Sequence, residues 1–380
     1  MAMIHWCGTG LSSGPGLRRL IDAGRALTVW TIERPQAEAL LAGRRARIAD
    51  YSLPALEATL RPGDVIVSML PPDLHLSLAR LALHRQAHFV CASELTPELR
   101  GLDAAARKAG VAVVGEVGLA PGIDHLMAHD LVADYRASGT IAPGDTVSFH
   151  SYCGGIPARP NAFRYKFSWS PLGVLRGLKS PSRSIRHFSE LRLAHPWEGV
   201  TRYDAPLPQP ETFEVYPNRD SLAYIDDYRF DPSWRIEDFV RGTLRLLGWA
   251  EAWQPVFAAL SDASEGAERR LAQLAERLLR ENGYTPGEPD RVVAVVTLTA
   301  KRAGRAVFDR SWVLEATGDI RGSAMARLVS GTVSLAVEAV LAHDIPAGVH
   351  AAPHDPKLVQ GWLSALQVQA QYLAKVDHLA

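Results

Sequence analysis

Five short apolar runs in the first 117 residues constrain this chain more than any other feature. They are Ile4-His5-Trp6-Cys7, Leu27-Thr28-Val29-Trp30, Val65-Ile66-Val67-Ser68, His88-Phe89-Val90-Cys91 and Val111-Ala112-Val113-Val114. Each is of strand length, and most are followed by an amphipathic stretch of helix length, such as Leu17 to Ala23, Pro35 to Ala42 or Leu74 to Arg85. Strand-length runs alternating with helices are the pattern of a parallel, doubly wound α/β sheet.

The first run leads into Gly8-Thr9-Gly10-Leu11-Ser12-Ser13-Gly14 and then a helix. In that context a glycine loop binds a dinucleotide. Gly8 makes the tight turn, Gly10 lets backbone approach a pyrophosphate, and the helix N-terminus receives the anion. The usual third glycine is displaced: Ser13 stands there and Gly14 follows. Thr9, Leu11 and Ser12 belong to the same cradle. Glu33, at the end of the second run, would accept the adenosine ribose hydroxyls and repel a 2′-phosphate, which points to NAD; the adjacent Arg34 would instead contact a phosphate, as in NADP. Asp50 either approaches the adenine or is an exposed loop carboxylate. Ser68, Met69 and Leu70 follow the fourth strand, and Ser93 and Val117 follow the next two, where βα-loop backbone passes beside a cofactor.

With 380 residues, the chain exceeds what one core usually supports, so two domains are expected. Lys plus Arg and Asp plus Glu both number 41, leaving no basic field for nucleic acid or an anionic membrane and pointing to a small-molecule partner. Cys7, Cys91 and Cys153 are too scattered for a disulfide framework or a metal site, which fits a reducing cytoplasm. No basic-then-apolar leader opens the chain, and no uncharged run reaches about 18 residues, so neither export nor a membrane span is expected.

After Gly122 the rhythm changes. Strands are expected at Val147 to Tyr152, Arg291 to Lys301 and Phe308 to Glu315, and helices at Trp234 to Leu247 and Ala263 to Arg280, the latter carrying Leu271, Leu274 and Leu278 at helical spacing. Ser323 to Leu341 and Pro356 to Leu373 read as helices that return to the first domain. The expected architecture is a Rossmann doubly wound parallel sheet (1–125) with an inserted α+β substrate domain (126–320) and C-terminal helices (321–380).

Five blocks carry a resemblance. Gly118-Leu119-Ala120-Pro121-Gly122-Ile123-Asp124-His125, Ser151-Tyr152-Cys153-Gly154-Gly155, Tyr165-Lys166-Phe167-Ser168-Trp169-Ser170, Tyr216-Pro217-Asn218-Arg219-Asp220-Ser221 and Arg241-Gly242-Thr243-Leu244-Arg245 resemble the saccharopine dehydrogenase family, in particular its L-glutamate-forming members. The resemblance runs in order along essentially the whole chain. It implies oxidation of saccharopine with NAD(P)+ and water to glutamate and 2-aminoadipate 6-semialdehyde, or the reverse, and commonly a homodimer. Related readings are a dehydrogenase of another amino-acid or opine-like secondary amine and a catalytically weak dinucleotide-binding sensor.

Within these blocks Arg219 with Asn218 is the leading carboxylate anchor, since a guanidinium fork matches a carboxylate bidentately. Lys166, Arg241 and Arg245 are further anchors or structural residues. Gly154 lets backbone approach a ligand, and Cys153 is a proton carrier or a small buried side chain. Asp124 caps a helix start; His125 lies near the substrate or within the helix. Two positions depart from the family: Ala120 replaces an Asp, and Glu94 replaces a Tyr, both at the family's reacting centre. Glu94 either supplies the missing carboxylate or merely opens a helix at Thr96 to Arg107.

Overall fold

The computed structural model describes residues 2–262, 264 and 266–380, and the chain divides into two compact units. One holds the residues up to Leu126 together with Arg321–Gln369; the other holds Met127–Ile320 with Ala370–Ala380.

In the first unit the five apolar runs become β1 (Ile4–Cys7), β2 (Leu27–Thr31), β4 (Val65–Ser68), β5 (His88–Cys91) and β6 (Ala112–Val114), with the more exposed β3 (Arg47–Asp50) between β2 and β4 in the chain. These alternate with α1 (Gly14–Asp22), α2 (Arg34–Leu41), α3 (Leu53–Thr59), α4 (His75–His84), α5 (Pro97–Arg100) and α6 (Asp103–Ala109), and α7 (Ile123–Ala137) follows. All pairings are parallel, in the order β3-β2-β1-β4-β5-β6. The order reverses between β1 and β4, and open sheets of this kind take ligands at such a switch point, outside the carboxyl ends of the strands. Thr96 to Arg107 is two short helices rather than one. Thr96 Oγ1 accepts the Leu99 N–H to start the first, which ends at Gly101.

The tail helix Ala324–Leu341 is apolar enough by composition to cross a membrane, yet most of it is buried as a core helix of this unit. A Cβ on Gly16 of α1 would lie 1.9 Å from the Ser330 carbonyl oxygen, and Gly16 N–H donates to Ser330 Oγ at 2.8 Å. That contact requires glycine.

The second unit is built on β7 (Thr146–Pro157), β8 (Ser182–Arg186), β9 (Ser189–Leu193), β10 (Thr201–Ala205), β11 (Glu211–Pro217), β12 (Arg235–Leu246), β13 (Asp290–Arg302) and β14 (Arg305–Thr317). β15 (Gly348–His350) extends the first sheet beside β6, and β16 (Tyr372–Asp377) closes the second, whose order is β10-β11-β12-β7-β13-β14-β16 with the β8–β9 hairpin branching from β12. Only β7 and β12 run parallel among its neighbours, so the sheet is mixed.

Two expectations change here. Trp234 to Leu247 is the strand β12, not a helix: its apolar residues satisfy either period, and pairing with both β11 and β7 decides the matter. Val240 and Leu244 face one side, Phe239 and Arg241 the other, and a Cβ on Gly242 between them would lie 2.6 Å from the Tyr216 carbonyl oxygen. The last helix stops at Gln367, and Tyr372–Asp377 pairs with β14, so residues after 369 belong to the second unit rather than the first. The expected helix start at Ala263 lies outside the described residues; the helix runs Ala267–Asn282 and buries Leu271 and Leu278, with Leu274 half-buried.

Candidate functional site

Gly8 has φ +102°, and a Cβ there would sit 2.9 Å from the Met69 carbonyl, so the loop passes tightly between β1 and β4. Ser13 closes it by donating from N–H to Gly10 O (3.1 Å) and from Oγ to Gly8 O (3.2 Å). Beyond Gly10 a Cβ would meet nothing within 4 Å, and the Ser13 side chain makes no capping bond to α1. Open space at the second glycine beside an uncapped helix start fits a pyrophosphate. Ser13 thus tightens the loop, while Gly16 supplies the close helix contact; the Gly-Pro-Gly sequence at the helix start was the available signal. Leu11 is 56% exposed and Ser12 half-buried. Thr9 is turned inward, its Oγ1 2.8 Å from Thr31 Oγ1, and so offers a ligand only backbone.

At the end of β2, Thr31 Oγ1 accepts the Glu33 N–H at 3.0 Å, which fixes the turn and leaves the Glu33 side chain exposed. Arg34 donates to Ile48 O at 3.3 Å and lies 3.9 Å from Glu38, while Asp50 is exposed at the end of β3.

Two buried networks follow at the ends of β4, β5 and β6. In the first, His75 at the start of α4 bridges Ser68 Oγ (Nδ1, 3.0 Å) and Ser93 Oγ (Nε2, 2.9 Å). Burial lowers its pKa to about 4, so the ring is neutral at physiological pH, one nitrogen donating and the other accepting. Ser68 is consequently directed at His75, and Met69, whose N–H donates to Cys7 O, and Leu70 follow it half-buried.

In the second, Glu116 follows β6 with φ +58° and is 1% exposed. Its N–H donates to Ser93 O (2.8 Å), Oε1 accepts the Leu95 N–H (2.9 Å) and an Arg100 N–H (3.4 Å), and Oε2 lies 3.2 Å from His125 Nε2. Burial acts to raise its pKa, but His125, the Leu95 N–H and Arg100 together outweigh that and hold the carboxyl below its ordinary value. His125 is 2% exposed and turned onto Glu116. Val117 is fully buried. Asp124 Oδ1 accepts the Gly122 and His125 N–H groups, steadying the start of α7. Neither Glu116 nor His75 was singled out in the sequence. A lone Glu two residues past a strand and a His in an amphipathic helix carry no local signal.

In the second unit, β7 and β12 place Ser151 opposite Arg241 and Cys153 opposite Thr243 on one face. Cys153 is half-buried. Arg219, just past β11, is exposed with φ +52°; its carbonyl accepts the Arg183 N–H and the preceding Asn218 N–H donates to Arg241 O, both at 2.8 Å. Three candidates take structural roles instead. Lys166 is paired with Glu288 at 2.7 Å with a largely buried side chain. Arg245 is buried among Tyr165, Tyr216 and Trp249 and donates to Tyr216 Oη. Gly154 is buried because a Cβ would lie 2.1 Å from Leu244 O, so close packing of β12 and not ligand approach requires it. Arg241 is stacked 3.9 Å over the Tyr224 ring, which orients it and leaves it 9% exposed. Among the described residues, no group of three or more His, Cys, Asp or Glu is placed to hold a metal ion.

Residues 4–114 match the family model described as the saccharopine dehydrogenase NADP binding domain, and 118–370 match the saccharopine dehydrogenase C-terminal domain. The chain belongs to the saccharopine dehydrogenase family. It is 33% identical over 256 residues to the saccharopine dehydrogenase [NADP(+), L-glutamate-forming] of Pyricularia oryzae, covering 64% of this chain and 54% of that protein. It is 34% identical over 259 residues to the mitochondrial alpha-aminoadipic semialdehyde synthase of Bos taurus, covering 64% and 27%. The matched segment therefore spans about half of the fungal relative and about a quarter of the bovine one. In structure it is similar to apo saccharopine dehydrogenase (L-Glu forming) from Saccharomyces cerevisiae, with TM-score 0.83 and 24% identity over 99% of this chain and 100% of that one. A homospermidine synthase from Legionella pneumophila shares the fold at TM-score 0.69 and 11% identity over 99% and 91%.

Ala120 and Glu94, singled out by the resemblance, both lie beyond strand ends of the first unit. Ala120 is exposed in a turn that Gly118 N–H closes onto Pro121 O at 2.9 Å. Glu94 is half-buried between Ser93, tied to His75, and Leu95, tied to Glu116.

Proposed function

We propose that this chain is a nicotinamide-dinucleotide-dependent oxidoreductase of the CH–NH group of saccharopine or a related amino-acid secondary amine, acting in lysine metabolism. The observation that carries the reading is the match of both family domains in order, 4–114 and 118–370, on a first unit whose glycine loop fits a pyrophosphate. In this reading saccharopine, NAD(P)+ and water give glutamate, 2-aminoadipate 6-semialdehyde, NAD(P)H and a proton. The dinucleotide supplies the hydride acceptor. The chain supplies the rest: Arg219 and Asn218 hold a substrate carboxylate, and Glu94 accepts a proton from the amine or from the attacking water, in place of the Asp that Ala120 replaces. Cys153 lies on the sheet face shared with Arg241 as a second proton carrier.

The names of the relatives favour NADP over the NAD that Glu33 alone suggests, and Arg34 is the residue here that would meet the 2′-phosphate. Three separate thiols, Cys7 and Cys91 both buried, support a cytoplasmic setting, and the family resemblance supports a homodimer.

Nicotinamide absorbance with saccharopine and each dinucleotide tests the reading. Turnover with NADP+ that falls in Arg34→Ala is expected. Faster turnover with NAD+ returns the specificity to Glu33, and no turnover with either moves the substrate to another secondary amine.

A further inference from the structure

The β8–β9 hairpin of the second unit turns through His187 and Phe188, both with left-handed backbone (φ +49° and +64°). Such a turn ordinarily uses Asn-Gly, because side chains strain that conformation. Here it is held down from β12: Phe188 N–H donates to Glu237 O at 2.8 Å, His187 N–H donates to Asp238 Oδ1 at 3.0 Å, and the Arg235 guanidinium stacks 4.5 Å from the Phe188 ring. The result is a fixed position for Arg186, the last residue before the turn. Its guanidinium donates to His150 Nε2 at 3.1 Å and to Tyr152 Oη at 2.8 Å.

Arg186 borders a cavity of about 590 Å³ whose walls include Leu191, Tyr203, Val215 and Pro217. His150 is pushed down to about 4 by burial first and by Arg186 second, so it is a neutral acceptor here and cannot balance the guanidinium. No carboxylate among the described residues is within ion-pair distance of Arg186 or of Arg202, which also borders the cavity. The nearby acids are otherwise engaged: Glu237 pairs with Lys301 at 3.2 Å, Glu190 with Arg183 and Arg192, and Asp238, 3.8 Å from His150, with the His187 N–H. Arginine at the end of an apolar-walled cavity, without a carboxylate of its own, is arranged to receive one.

We propose that this cavity is a ligand site for a small carboxylate with an apolar body, with Arg186 as the bidentate anchor and the Tyr152 hydroxyl as its neighbouring polar group. His150 and Tyr152 lie on the face of β7 opposite Ser151 and Cys153, because successive strand residues alternate. The cavity therefore lies on the sheet face opposite Ser151, Cys153 and Arg241, and the proposal does not depend on the reaction proposed above.

Calorimetric titration of the full chain with phenylacetate, phenylacetamide and inorganic phosphate tests it. Phenylacetate is expected to bind at least tenfold more tightly than its amide and to move the His150 ring resonances. Arg186→Met should abolish that preference, Arg186→Lys should retain part of it, and Arg219→Ala should leave it intact. Equal binding of acid and amide, or an unmoved His150 resonance, overturns the proposal without any variant. So does a preference that survives Arg186→Met or disappears only in Arg219→Ala. Binding of phosphate alone replaces the carboxylate assignment with adventitious anion binding.

Discussion

The His75 and Glu116 networks sit on either side of the segment Ser93-Glu94-Leu95, and they hold it by different physics. His75 bonds the Ser93 hydroxyl as a neutral ring between two neutral groups, whereas Glu116 donates its backbone N–H to the Ser93 carbonyl and accepts the Leu95 N–H on a buried carboxylate supported by His125 and Arg100. A neutral network needs only complete hydrogen bonding to be buried, while a charged one needs partners whose loss leaves the charge uncompensated. One segment is thus held from two sides, by a neutral network at Ser93 and a charged one that reaches both Ser93 and Leu95.

The largest expected effect concerns the residue between the two networks. Glu94→Gln should lower turnover by about 10² to 10⁴, the range for a general base, with dinucleotide binding retained, and Ala120→Asp in that background should restore part of the loss. Steady-state kinetics and a dinucleotide titration measure both; unchanged turnover in Glu94→Gln removes the proton-accepting role and leaves the segment structural.

Glu116→Ala should cost about 3 to 5 kcal/mol of stability, as when one partner of a buried charged pair is removed, and Ser93→Ala only about 1 to 3 kcal/mol, as for one buried partner left unmet. Denaturant unfolding of both variants checks the ranking. Equal losses would mean that the two sides hold the segment alike.

Acid titration separates the networks by their windows. His75 titrates near 4 when folded and near 6.5 when unfolded, so the unfolded chain binds more protons between those values and stability falls as pH drops through that window, by about 3 kcal/mol in total. Glu116 is depressed below its ordinary 4.5, so its contribution is complete above that value and is lost only as pH falls further, through the folded value. His75→Asn should flatten the first limb and Glu116→Gln the second. A single limb altered by both would show that the networks titrate as one.

The smallest expected effect tests the second unit against the first. Arg219→Lys should weaken substrate binding by about 1.5 to 3 kcal/mol while keeping the charge, because an ammonium cannot form the guanidinium's paired bonds. Unaltered Michaelis constants would place the anchor elsewhere than Arg219.

The parallel sheet was legible because β1, β4 and β5 are continuous apolar runs separated by helix-length amphipathic stretches, a pattern set by burial on both faces. The glycine loop was legible for the same local reason: Gly8 needs φ +102° whatever the rest of the chain does. β12 was not legible, since its residues fit a helix or a strand and only its neighbours β11 and β7 chose between them. The demand for glycine at 16 and 154 comes from Ser330 and Leu244, and the assignment of Lys166 to structure comes from Glu288, 122 residues away. Glu116 gains its role from Leu95, Arg100 and His125, none of which its own neighbourhood announces. By itself, then, the sequence determined whatever local periodicity and backbone sterics dictate, namely the N-terminal strands of the first sheet and its dinucleotide loop, while β15 joins that sheet only through pairing with β6. Which polar side chains are buried, paired or left facing a ligand was decided by tertiary structure, because hydrogen bonding and desolvation depend on groups that only folding brings within about 3 Å.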